Sequence, residues 1–392
     1  MPPSERFPYQ IVFVQEAERL RDCVEQLKKQ QAIAVDLEFD KDRVFYGFTL
    51  SLIQIAADST IYVIDAMCGL ELTELFKVFK SPEIEKIMHC PGEDLRLLHA
   101  LNCFPTPLFD NEIAAKLCNF EQTSLAAMLQ QLLGIQLDKT LQKSDWTKRP
   151  LTEAQIDYAA QDVVYLVALK QALLNRAKEM ACEHFILQEQ QLLSQQRYPI
   201  EKRDNFLKKD DYLLFTFKER ILLNELLRYR DQVAASLNLP AYRTMDEQVI
   251  RDICKGKTTT ADWMNLKGLH PKLRTTAYQT AFTQQIETIR AAIKAGQLPK
   301  ASEKPEEQKY VKREFETGKE RKEELKQRIF NPVQQALSER LGTFAFRFVL
   351  SSALVNDLIH HKTTIREIKP SYKQELILAA ADKLNIDLQA FL

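Results

Sequence analysis

The chain has 392 residues, of which 45% are apolar and 28% charged, and its 54 basic side chains equal its 54 acidic ones. Such a composition suits a globular protein with room for two or three domains. The opening "MPPSERFPYQ" lacks an apolar run behind a basic end, no stretch of about 18 uncharged apolar residues follows, and the seven cysteines form no CxxC pair; a secreted, membrane-spanning or disulfide-stapled protein is not expected, and a reducing cytoplasm is.

The zero net charge hides an asymmetry. Residues 1–200 hold 20 Lys+Arg against 28 Asp+Glu, and residues 201–392 hold 34 against 26. Metal-binding carboxylates in front and phosphate-binding cations behind would give this pattern, as would solvated helix faces of either sign.

In chain order, the first strong element is the β-favouring "IAVDLEF" (33–39), which carries Asp36 and Glu38 two places apart and hence on one strand face. Strands "LSLIQIA" (50–56) and "IYVIDA" (61–66) flank a turn-prone "ADST" and predict a hairpin, and "KIMHC" (86–90) predicts another strand. Helical spacing covers 72–80, 93–101, 111–118, 124–133 and 152–180, the last opened by a capping box of Thr152 with Gln155. Together these predict an α/β domain with one mixed sheet. Beyond about 182 the strand signal ends. Residues 208–296 read as helices, 297–328 as a charged linker or helix, and 329–392 as a second helical unit. Neither GxxxxGKS/T nor GxGxxG occurs, so no nucleotide cofactor is expected.

Two further carboxylates join the pair. Asp94 opens a helix after a strand in "MHCPGEDLRLLHAL", and Asp162 follows Tyr158 by one helical turn in "DYAAQDVVYLVALK". Singly, each has a plain structural explanation: Asp94 as a helix-start acid, Tyr158 and Asp162 as a helix edge. Converged, four carboxylates would repel one another unless they held hard divalent cations, Mg²⁺ or Mn²⁺. Two such ions, about 3.5–4 Å apart, suit in-line attack on a phosphodiester. A tyrosine alongside could orient the attacking water, since its ordinary pKa near 10 disfavours a role as base. His89, Cys90, His99 and Cys103 match no standard zinc spacing.

"VDLEF", "HCPGEDL" and "YAAQDVVYL", in that order, closely resemble the three exonuclease motifs of the DEDD superfamily, tyrosine subtype. The segment "LDKTLQKSDWTKRPLTEAQIDYAAQDVVYL" (137–166) is similar to the ribonuclease D family. The resemblance implies a ribonuclease-H-like 3′–5′ exonuclease domain over 1–200, working with two divalent metal ions. It implies catalytic roles for Asp36, Glu38, Asp94, Tyr158 and Asp162. The four carboxylates would be the metal ligands and Tyr158 would hold the attacking water. Residues placed to grip a single-stranded end are Phe39, Gln54, Lys139, Trp146 and Arg149.

"LLRYRDQVAASLNLPAYRTMDEQVI", within 208–296, resembles the helical HRDC module, and 329–392 resembles a divergent second copy. The implied protein is a cytoplasmic exoribonuclease that trims RNA with a free 3′ end, transfer-RNA precursors above all, to nucleoside 5′-monophosphates. The alternatives are a DNA exonuclease with the same core and a non-catalytic RNA-binding protein.

Overall fold

A six-stranded mixed sheet organises the front of the chain. The computed structural model describes residues 9–199, 203–296 and 322–392. These fall into two units, the first made of 9–38, 50–199 and 322–392, the second of 39–49 and 203–296.

In the first unit the elements run β1 (Gln10–Val14), α1 (Ala17–Leu27), β2 (Ala32–Lys41), β3 (Phe48–Ala57), β4 (Thr60–Asp65), α2 (Thr73–Lys80), β5 (Glu85–Met88), α3 (Gly92–Ala100), β6 (Leu108–Asp110) and α4 (Asn111–Leu117). Four helices follow: α5 (Leu125–Leu133), α6 (Glu153–Val164), α7 (Leu166–Glu179) and α8 (Glu183–Gln195). The sheet order is β1-β4-β3-β2-β5-β6. The β3–β4 hairpin is antiparallel, while β1–β4, β2–β5 and β5–β6 are parallel. This is the mixed α/β core that the sequence predicts. Two short strands and two helices, β1, β6, α1 and α8, add to the expected set. The helix expected over 152–180 is two, divided at Tyr165, whose φ of −103° and ψ of −3° interrupt the regular helix.

Alternation along β2 decides what the sheet shows to each side. Ile33, Val35 and Leu37 are buried on one face. Ala34 on the other face joins the core built with α4 to α8, and Asp36 and Glu38 continue that face. Burying a Leu37-sized side chain contributes roughly 1.5–3 kcal/mol, which holds the strand in register. Asp40 lies inside β2, one residue past the predicted strand 33–39. It still marks the strand's end, accepting backbone N–H bonds from Arg43, Val44 and Phe45.

Residues 322–330 are helical, while 297–321, most of the charged segment, lie outside the described residues. The helices Asn331–Leu341, Ser352–Ile359 and Ser371–Lys383 share one apolar core with α4 to α8 and do not close a core of their own. The Tyr372 ring stacks on Phe185, 4.4 Å between centroids. The Tyr372 hydroxyl donates to Glu189 at 2.7 Å, and Lys373 pairs with the same carboxylate at 2.9 Å. Glu189 is almost wholly buried, so its removal strands a partly buried ammonium and a buried hydroxyl. Glu189→Ala should therefore destabilise the first unit by about 3 kcal/mol, read from equilibrium urea unfolding. A cost under about 0.5 kcal/mol would show that this junction carries none of the stability.

The second unit is helical beyond its short entry segment. Helices Phe217–Leu237, Glu247–Cys254 and Thr276–Lys294 enclose Trp263, whose indole N–H donates to the Leu273 carbonyl at 2.6 Å. Thr216 and Glu219 form a capping box at the start of the longest helix. Residues 39–49 belong to this unit, with the Tyr46 hydroxyl donating to Asp231 at 2.7 Å.

Candidate active site

Three elements of the first unit bring the predicted acids together. β2 carries Asp36 and Glu38 on its α-facing side, and α6 carries Tyr158 and Asp162 one turn apart. The capping box of α6 forms as expected: Gln155 N–H donates to the Thr152 hydroxyl at 3.2 Å, and Thr152 N–H donates to Gln155 at 3.0 Å. Ala159, Ala160 and Val163 are fully buried beneath the helix, which fixes the direction of its functional edge. One carboxylate oxygen from each of Asp36, Glu38 and Asp162 lies within 4.8 Å of the other two. Asp94 stands in the first turn of α3, close enough for its charge to act on both β2 acids, Asp36 and Glu38.

The electrostatics follow from this crowding. Removal from bulk water is the largest cause raising every one of these four acids. Asp36 is held well above the carboxylate range by burial, then by the charges of Asp94, Asp162 and Glu38. Burial and the same neighbours, Asp162 and Asp94, push Glu38 up to about 8. Asp94 rises to about 6 and Asp162 to about 7. The charges acting on Asp36 are thus all negative, the condition under which a bound cation is most stabilising. Carboxylate oxygens in this density suit a hard divalent metal, and the residues present fit one. Burial and then the charges of Asp162, Glu38 and Asp36 raise the Tyr158 hydroxyl above its ordinary value, so it stays protonated at neutral pH.

The expected grip residues divide. Lys139 is exposed in the segment before α6. Phe39, half-buried in the second unit, packs edge-on against Phe48, 5.6 Å between centroids. Gln54 is fully buried on β3, and neither end of its amide has a protein partner. Trp146 is buried against Tyr158, with ring centroids 6.0 Å apart. Arg149 is bound to Asp65 and to main-chain carbonyls. Of the five, Gln54 and Trp146 are buried, Arg149 and Phe39 are partly exposed, and Lys139 is exposed.

Two supporting acids escape the sequence reading. Asp110, buried at the end of β6, accepts the N–H of Cys90 and of Glu112, each at 2.8 Å. It thereby holds the turn that launches Asp94. Asp65, buried at the end of β4, is the partner of Arg149. The signal for both was the one that exposed Asp36: an acid closing an apolar strand requires a partner. His89 Nε2–H donates to the Thr123 carbonyl (2.9 Å), and His99 accepts the N–H of Tyr198. Among the described residues the Asp36, Glu38 and Asp162 group is the one cluster with metal-ligand spacing, and it includes no histidine or cysteine.

Comparison with known proteins agrees with this geometry. A family model described as a 3′–5′ exonuclease matches residues 11–178. Ribonuclease D of Gluconacetobacter diazotrophicus is 29% identical over 302 residues, 74% of each chain. Ribonuclease D of Zymomonas mobilis is 32% identical over 234 residues, 58% of this chain and 59% of that protein. Among solved structures, Escherichia coli RNase D, described as an exoribonuclease involved in structured RNA processing, shares the fold with a TM-score of 0.69 at 21% identity, over 96% of this chain and 99% of that one. The catalytic core of RRP6 from Trypanosoma brucei shares it with a TM-score of 0.63 at 22% identity, over 73% and 81%.

A mixed sheet with this carboxylate cluster on its helical side, under a matching family model, defines a 3′–5′ exonuclease. Within that class the chain is a 3′–5′ exoribonuclease, similar to the ribonuclease D proteins. No helix among the described residues is long and apolar enough to cross a membrane.

Proposed function

We propose that the protein trims structured RNAs from their 3′ ends in the cytoplasm, transfer-RNA precursors above all, and releases nucleoside 5′-monophosphates. The approach of Asp36, Glu38 and Asp162 to within 4.8 Å, with Asp94 beside them, is the observation that carries this reading. Asp36, Glu38, Asp94 and Asp162 would hold two divalent cations, Mg²⁺ or Mn²⁺. When bound, the ions supply Lewis acidity at the scissile phosphate and make water a nucleophile at neutral pH. The chain's own contribution is positional. Tyr158 keeps its proton and orients the attacking water by hydrogen bonding, because a hydroxyl with a raised pKa is a poor base. Water bonds to phosphorus as the P–O3′ bond breaks, which leaves the phosphate on the released nucleotide's 5′ oxygen. Lys139 and Phe39 serve as contacts to the RNA end, by charge and by stacking. The helical segments 208–296 and 329–392 act as HRDC-like modules that add RNA affinity, in keeping with the basic back half.

Digestion of matched RNA and DNA oligomers labelled at the 5′ end tests this. A ladder on RNA that requires Mn²⁺ or Mg²⁺ and disappears with chelator is the expected result. An equal ladder on DNA would overturn the substrate assignment. No ladder on either would favour a binding protein without catalysis.

A further inference from the structure

Arg149 has five N–H donors, and the structure supplies five acceptors. Nε donates to Asp65 Oδ2 at 2.6 Å and Nη2 to Asp65 Oδ1 at 2.7 Å, a bidentate pair. The remaining donors go to the carbonyls of Trp146 (2.7 Å), Lys148 (2.8 Å) and Ser51 (3.1 Å). Asp65 is fully buried at the end of β4 and also accepts from Met67 N–H and Gln15. Arg149 therefore ties the segment before α6 to the ends of two strands, β3 through Ser51 and β4 through Asp65. On that segment it grips the carbonyls of Trp146 and Lys148. The Trp146 ring, buried, lies at 6.0 Å and 33° to the Tyr158 ring.

We propose that Arg149 is a positioning residue of the hydrolytic step: clamped by Asp65, it fixes Trp146 behind Tyr158 and so holds the tyrosine hydroxyl where it orients water. The inference rests on the role given to Tyr158 above. It reverses the ordinary expectation for an arginine beside a nuclease site, which is a phosphate contact. A phosphate contact needs a donor to spare, and Arg149 has none. A lysine in its place could not reproduce the forked bond to Asp65 together with the three carbonyl contacts.

The test is Arg149→Gln and Asp65→Asn, each alone, together, and in a Tyr158→Phe background. Single-turnover cleavage of bound RNA should fall about 100-fold in either single variant, the scale expected when a reacting group is displaced by about 1 Å. RNA affinity and its salt dependence should stay as in the parent, whereas loss of one phosphate contact would lower the salt slope by about 0.7. Mn²⁺ stoichiometry by calorimetry should also be unchanged, which separates a displaced tyrosine from an unfolded fraction. The neutral double variant removes both charges, so it keeps the test available if a stranded buried charge prevents either single variant from folding. In the Tyr158→Phe background, Arg149→Gln should add less than about twofold, because groups acting through one another are not additive. A reduced salt slope for Arg149→Gln, absent in Asp65→Asn, would overturn the proposal in favour of phosphate binding. A full further loss in the Tyr158→Phe background would overturn it in favour of a general structural role. Full activity of Tyr158→Phe itself would instead remove the reading of the tyrosine on which the proposal stands.

Discussion

Asp36→Asn is expected to stop turnover while leaving RNA binding nearly intact. Asp36 stands at the centre of the cluster: its environment contains the charges of Asp94, Asp162 and Glu38 together. Asparagine keeps the shape and one acceptor oxygen but removes the negative charge and one of the two ligand oxygens, so the site loses its main attraction for a divalent cation. The expected loss exceeds about 10³-fold, beyond what deletion of one transition-state hydrogen-bond donor costs. RNA affinity depends on cations and aromatic surfaces elsewhere, so it should change little. Asp162→Asn should behave alike, because it removes a ligand from the same group of three. Decay of 5′-labelled RNA under single-turnover conditions, with binding measured separately in chelator, distinguishes the two effects. Either variant cleaving at the parental rate would sink the assignment of the site.

The sequence makes the site more legible than its support. "IAVDLEF" stands out because two acids share one face of an apolar strand, and the partners that explain them, Asp94 and Asp162, carry their own local signs: a helix start and an acid among apolar neighbours. The Thr152–Gln155 capping box is equally local, and it forms. What escapes is non-local. β1 is five residues whose pairing with β4 lies some fifty residues away, and β6 is only three residues long. The break at Tyr165 falls within "VVYLVALK", where no glycine or proline marks it. For Arg149 and Trp146 the sequence shows residue types beside the acids, not the bonds and packing they make within the chain. Arg149 is 84 positions from Asp65, and nothing between them signals the pair. Likewise the helices of 329–392 have apolar faces that read as a self-contained unit. Their partners, among them Phe185 and Glu189, lie far upstream.

The chain without metal should lose stability as pH rises, and a divalent cation should restore it. Burial holds Glu38 up at about 8, Asp162 at about 7 and Asp94 at about 6 in the folded state, against ordinary values of 4.5, 3.8 and 3.8. These are raised acids, so between the unfolded and folded values the native state binds more protons than the unfolded one. Stability from this source is fully present below about pH 4 and declines as pH rises through about 8. Asp65 acts in the opposite sense: burial raises it, but hydrogen bonds from Arg149, Cys68 and Met67 and the Arg149 charge together outweigh that and lower it, so its contribution is lost only in acid. Chelator-treated protein should therefore show its highest Tm on the acid side of neutrality. Mn²⁺ at about 100 times its Kd should add about 2.7 kcal/mol at pH 8, a rise of about 5–10 °C for a unit of this size, and much less at pH 5 where protons compete for the same oxygens. Asp36→Asn should flatten the pH dependence of the metal-free protein and abolish the metal-induced rise together, because one carboxylate cluster is the origin of both. A parental rise with Mn²⁺ in that variant would place the cation elsewhere. A metal-free Tm that did not fall between pH 5 and pH 8 would mean that the four acids do not repel one another as their spacing requires.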